Sequence, residues 1–277
     1  MTRSMRKNAL KGLLAIAIFA TLACDLRADP LAYVGYGGGS FGTIDLTTGT
    51  VTSLGSLGQT PAGLGVYNGT LYATSYNSNG TLYSVNTSTG ALTSIGSSGD
   101  FYEGGFGSTL TGLYAVGYAS GGSTLDLFSI NASNGSATDL GSTGIGLGSW
   151  RDISTNSSTL YFGDGADLYS LNLTNGSATL IGAFGGSAEM GSLVTVGGTL
   201  YGADDVSNVI DTINISNGAA TAGDSSGGSV WGLAPDPLPS SSTPPSPIPE
   251  PASWSLLGMA LCALAFGRRS SIRASLS

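Results

Sequence analysis

TLYSVNTSTGALTSIG, residues 81–96, is the stretch on which the fold turns. Its first half alternates Leu82, Ser84 and Asn86 with Tyr83 and Val85, the period-two pattern of a strand. Asn-Thr-Ser-Thr-Gly then supplies a polar turn, with Gly90 as a residue that accepts positive φ at no steric cost. ALTSIG resumes as a second short strand, so the whole reads as a hairpin. The same hairpin recurs as GTIDLTTGTVTSLG (42–55), DLFSINASNGSATDLG (126–141), DLYSLNLTNGSATLIG (167–182) and DTINISNGAATAG (211–223). The turn glycines Gly49, Gly90, Gly135, Gly176 and Gly218 are spaced by 41, 45, 41 and 42 residues.

Two further sets precede each hairpin. Ala32-Tyr33, Leu71-Tyr72, Leu113-Tyr114, Leu160-Tyr161 and Leu200-Tyr201 each open a short strand. Seven residues earlier stand Leu64, Phe106, Ile153 and Leu193. Each unit therefore holds four short strands in about 42 residues, the length and strand count of a β-propeller blade. The first unit, from Leu31, lacks its opening strand, and SVWGLAPDP after the fifth unit supplies it, with Leu233 in the phase of Leu64. The expected fold is all-β: a five-bladed β-propeller over 29–234 whose C-terminal strand completes the first blade. Closure of that kind removes the sheet edges that would otherwise template aggregation. An open β-solenoid is the rival architecture, but it leaves the split first unit unexplained. YVGYGGGSFGTIDLTTGTV (33–51) also resembles the propeller repeat known for its Tyr-Val-Thr-Asn motif.

Composition excludes several functions. Of 277 residues 45 are Gly and none is His, and only 9% are charged. Without His there is no Ser-His-Asp or Cys-His catalysis and no His-ligated metal. Between Asp29 and Ile248 the single cation Arg151 faces fifteen acidic residues, a net charge of −14. One cation cannot neutralise a phosphate backbone, so nucleic acid is not a partner. Both cysteines, Cys24 and Cys262, lie in terminal apolar segments, leaving the body no disulfide and no thiol nucleophile.

Those terminal segments read as addresses. Arg3, Arg6, Lys7 and Lys11 precede the apolar run Gly12–Cys24, too short to span a membrane comfortably, so residues 1–28 read as a secretory signal peptide cleaved after Ala28 or Ala23. Eight of the ten prolines fall between Pro235 and Pro251. They make 235–248 an extended linker, because Pro blocks both ladders and helices. Pro249-Glu250-Pro251 follows, then the apolar segment Ala252–Gly267 and the pair Arg268-Arg269. Segment 249–271 resembles the PEP-CTERM sorting signal: a Pro-Glu-Pro motif, a short transmembrane helix and an arginine cluster. The resemblance implies an exported bacterial protein. An exosortase-type enzyme would process its tail, in a setting where extracellular polysaccharide is made. The eight residues after Arg269 are a longer tail than that signal usually carries.

Within the body, chemistry concentrates in one phase of the repeat, the start of each innermost strand: Pro61-Ala62, Glu103-Gly104, Trp150-Arg151, Met190-Gly191 and Val230-Trp231. Tyr102, Trp150 and Trp231 with Arg151 and Glu103 would form a mouth suited to a sugar ring, whose apolar face stacks on aromatics while its hydroxyls seek polar groups. The alternative is that Trp150 and Trp231 plug a narrow channel and Arg151 pairs with Asp152 or Glu103. Asp164, Asp167, Asp204, Asp205 and Asp211 carry oxygens of the kind Ca2+ takes. However, Asp164-Gly165-Ala166-Asp167 is too short for an EF-hand loop, and turn capping is the expected role. No cofactor, metal centre or catalytic residue is singled out. The expected function is non-catalytic display at the cell surface or in a matrix, with polysaccharide as ligand. A lyase or hydrolase using mouth carboxylates, or a purely structural matrix component, is the alternative.

Overall fold

The computed structural model describes residues 30–236 except 76–79, 98–100, 120–121, 147–150 and 157–158. The expected signal peptide, linker and sorting segment, with Pro249, Glu250, Pro251, Arg268 and Arg269, lie outside the described residues. Twenty strands, numbered in chain order, make five four-stranded antiparallel sheets. The first sheet runs β20 (Val230–Pro235), β1 (Leu31–Tyr36), β2 (Ser40–Asp45), β3 (Val51–Ser56). The second is β4 (Pro61–Tyr67), β5 (Thr70–Ser75), β6 (Thr81–Val85), β7 (Leu92–Ser97). The third is β8 (Phe101–Thr109), β9 (Gly112–Ala119), β10 (Thr124–Ile130), β11 (Ala137–Gly146). The fourth is β12 (Arg151–Asn156), β13 (Thr159–Asp164), β14 (Asp167–Leu171), β15 (Ala178–Ala183). The fifth is β16 (Met190–Val196), β17 (Thr199–Asp204), β18 (Val209–Ile213), β19 (Ala220–Thr221).

The innermost strands close a ring, each touching the next in the order β20, β4, β8, β12, β16 and back to β20. The fold is thus a five-bladed propeller. Its first blade is built from both ends of the body, Val34 standing opposite Leu233. Leu64, Phe106, Ile153, Leu193 and Leu233 are all essentially inaccessible, as their shared phase requires.

No single core fills the molecule. Five apolar clusters occupy the five seams between neighbouring blades. Between the second and third blades, for example, Tyr72 and Leu82 pack on Phe106, Leu113, Ala115 and Phe128. Each fully buried Leu or Phe contributes about 1.5–3 kcal/mol. Because every blade is sandwiched, both of its faces are covered, and the strict alternation read at 81–86 does not persist. Leu82 and Val85 are buried while Tyr83 and Ser84 are half-buried.

The outer hairpins carry a second repeated device. Each turn glycine donates its N–H to the carbonyl four residues back, as Gly90 to Asn86 at 2.7 Å and Gly135 to Asn131 at 2.8 Å. Their φ values of +66° to +80° suit glycine alone. In four of the five repeats the closing glycine lies beneath the next blade's turn. A Cβ on Gly55 would strike the Thr89 carbonyl, and one on Gly96 the Asn134 carbonyl. Gly141 and Gly182 meet Asn175 and Asn217 in the same way.

Candidate functional site

Position-matched contacts around the ring show that the innermost strands run in the same direction. Gly63 faces Phe106, Gly107 faces Ile153, and Gly232 faces Leu64. The five strand starts therefore share one end of the ring, the mouth. A β-bulge interrupts four of them there, at Ala62, Gly104, Gly191 and Trp231. A bulge re-aims the side chain of the extra residue. Pro61, Met190 and Val230 point into the seams and are buried, whereas Ala62, Gly191 and Trp231 are half-buried.

Of the sequence-derived candidates, Trp231 is placed at this rim. Arg151 opens β12 with its backbone opposite Asp164. Tyr102 and Glu103 lie in β8, opposite Tyr118 and Gly117. The side chains of Arg151, Tyr102 and Glu103, and all of Trp150, lie outside the described residues.

The innermost strand of blade four alone has no bulge at the mouth, since Arg151, Asp152 and Ile153 pair in unbroken register with Asp164, Gly163 and Phe162. Asp152 occupies the position held by Gly63, Gly105, Ser192 and Gly232 in the other blades. Its side chain is buried and spans three blades. Oδ1 accepts the Ile153 N–H at 2.8 Å, and Oδ2 accepts Ser192 Oγ at 3.0 Å and the Leu193 N–H at 3.1 Å. The backbone of Phe106 adds a fourth hydrogen bond. Burial holds the carboxyl well above the usual carboxylate range, and these donors pull it partly back. Asp152 is thus a tie at the centre of the ring. The signal for it was visible: an acid in a phase otherwise reserved for Gly and Ser.

The remaining carboxylates of the mouth divide by role. Asp204 is a loop clamp, its Oδ1 accepting the N–H groups of Val206 at 2.9 Å and Glu189 at 3.2 Å while Ser207 Oγ donates to Oδ2. Asp205 lies over Gly191, where any Cβ would collide with its carboxyl. Burial, then repulsion from Asp204 and Glu189, pushes its carboxyl up to about 6. Asp211 is buried in β18, and Oδ1 has no hydrogen-bond partner. Burial and Asp204 raise its carboxyl, and the Gly223 backbone partly offsets them. Asp164 and Asp167 flank the β13–β14 turn as register partners. Among the described residues no three carboxylates converge on a point that a metal ion would occupy.

No protein-family model matches the chain. No curated protein matches it. Among solved structures, a chain of a nidogen/laminin complex is similar with a TM-score of 0.51 at 15% identity, over 75% of this chain and 81% of that one. A glutaminyl cyclase from Myxococcus xanthus is similar with a TM-score of 0.44 at 17% identity, over 65% of this chain and 72% of that one. At such identities the likeness concerns the fold alone, because propellers host unrelated functions.

Proposed function

We propose that this chain is an exported, non-catalytic propeller, displayed at the cell surface or in an extracellular matrix, where its mouth holds polysaccharide. An exosortase-type enzyme would process its tail. The observation that carries this reading is the order Pro249-Glu250-Pro251, apolar segment, Arg268-Arg269 beyond a proline-rich linker. The ring geometry supports it. Closure is complete at Pro235, so a cut near residue 249 removes the tail without opening the first blade. The acidic body supports it too, since one cation leaves nothing to hold a phosphate polymer. At the mouth, the half-buried Trp231 sits on the β20 bulge, and an indole is a side chain that suits the apolar face of a sugar ring.

Intact mass of the protein from envelope and medium, with and without the processing enzyme, tests this reading. The expected result is enzyme-dependent loss of the C-terminal segment, about 25 residues. An intact tail in both backgrounds overturns the sorting route. Trp231→Ala should reduce retention on a polysaccharide column, and unchanged retention removes the mouth from the proposal.

One observation favours a second reading, a glycan-cleaving enzyme. Asp205, held near 6 beside Glu189, has the protonation range of a general acid. Turnover of a glycan that Asp205→Asn abolishes would establish it, and saturable binding without turnover would dismiss it.

A further inference from the structure

The repeat breaks on the face opposite the mouth, at the seam between the second and third blades. Three residues before each turn glycine stand Leu46, Thr87, Ala132, Leu173 and Ile215. Leu46 fills its seam, and Leu173 packs against the cluster that holds Tyr114. Thr87 closes another seam with a hydrogen bond to the Tyr33 hydroxyl, which is also tied to the Asp236 carboxyl. Ala132 also packs against its seam's cluster, but it is the shortest of the five side chains and fills less of the space there. The residue three beyond Leu64 and its equivalents, at the far end of each innermost strand, breaks pattern at the same seam. Thr109, Asn156, Val196 and Asp236 are small or medium there, and blade two has Tyr67.

The two departures together leave a groove of about 430 Å3. Tyr67, Tyr72 and Tyr114 supply aromatic surface, and Asn68, Ser129 and Asn131 supply neutral polar groups. Two constraints define what fits. Among the described residues none that lines the groove is charged, so they offer no cation to offset a carboxylate, sulfate or phosphate. The body around it is strongly acidic, which adds repulsion against anions. Aromatic faces beside neutral donors and acceptors match one common ligand chemistry: an uncharged ring with apolar CH faces and equatorial hydroxyls.

We propose that this groove is a saccharide site, distinct from the mouth, that takes neutral hexose units of a glycan chain. It shares with the display reading only the class of ligand and does not require the mouth to bind anything. Position 132 provides a test that preserves the fold, because the first and fourth blades already carry Leu there (Leu46 and Leu173).

The experiment is isothermal titration of the full chain with neutral hexaoses (β-1,4-glucan, α-1,4-glucan and β-1,4-mannan) and with a polyuronate hexamer. Saturable heat is expected with at least one neutral hexaose and none with the uronate. Ala132→Leu and Tyr67→Thr should each weaken that binding at least about tenfold with unfolding temperature unchanged. Binding that survives both variants but is lost in Trp231→Ala would place the sugar at the mouth, overturning the groove and leaving the display reading intact. Absence of binding by every neutral hexaose at about 10 mM, weaker than any useful site, overturns the groove. Binding sensitive to Ala132→Leu in a chain whose tail is never processed would sustain the groove while the display reading fails.

Discussion

Replacing Asp152 with Ala should be among the costliest single changes in the body. The carboxylate accepts from Ile153, Ser192 and Leu193 and from the Phe106 backbone, all near the ring centre. Truncation orphans three backbone groups where water has no ready access, at about 1–3 kcal/mol each, while the Ser192 hydroxyl rotates to another partner. Release of a buried carboxylate from its own desolvation offsets part of that. The net expectation is a loss of about 3–5 kcal/mol, the range for breaking a buried charged network from one side. Asp152→Asn keeps the volume and one acceptor and should cost less, about 1.5–3 kcal/mol. Ser192→Ala removes one bond and should cost about 1 kcal/mol. The Asp152–Ser192 double-mutant cycle should return a coupling of about 1 kcal/mol. Equilibrium urea unfolding of the full chain measures all four, read as a midpoint shift at constant slope. A loss below about 0.5 kcal/mol for Asp152→Ala, or a cost equal to that of Ser192→Ala, would refute the tie.

Other outcomes follow from the same geometry. A Cβ at Gly96 lands on the Asn134 carbonyl, whereas one at Gly146 meets nothing within 4 Å. Gly96→Ala should therefore cost about 2–4 kcal/mol in urea unfolding and Gly146→Ala less than about 0.5 kcal/mol. Asp205, raised in the folded chain from 3.8 to about 6, stabilises the fold below the ordinary carboxylate value, and that stability is lost as pH rises through about 6. Since the side chain is only half-buried and screened, Asp205→Asn should match the parent near pH 4 and exceed it by about 1 kcal/mol at pH 7 in thermal unfolding. Identical pH profiles would remove the burial argument. Gly90→Val forces a β-branched residue to a φ of +76° and should cost more than Gly96→Ala, or the turn is not left-handed as described.

The blade count and its closure were legible because they depend on period and phase. Leu64, Phe106, Ile153, Leu193 and Leu233 occupy equivalent places in five strands, and equivalence survives whatever each blade packs against. Burial was less legible. Alternation at Leu82–Asn86 suggests one wet face, but a blade between two neighbours has none, so Val85 is buried beside a half-buried Tyr83. Ala62, Gly104, Arg151, Gly191 and Trp231 share one phase in the sequence and one end of the ring in the structure, because all five lie at strand starts. The sequence presents Asp152 only as a partner for Arg151, because its wider role lies in the donors of Phe106, Ser192 and Leu193, which are 46, 40 and 41 residues away. The groove at Ala132 was harder still, since its signal is a missing side chain, visible only when the five turns are aligned for size.

The split first blade also decides how the body carries force. β20 ends at Pro235 on the face opposite the mouth, and Leu31 begins β1 beside it, with the Asp236 N–H donating to the Leu31 carbonyl at 3.3 Å. Tension between the two chain ends would part that ladder one pair at a time, from Ala32–Pro235 inward. Tension between an object held at the mouth and a tether leaving at Asp236 pulls β20 lengthwise instead, so its hydrogen bonds with β1 share the load together. The same seam is a zipper in one loading direction and a lap joint in the other. The two loading directions therefore predict different rupture forces for the same pair of strands.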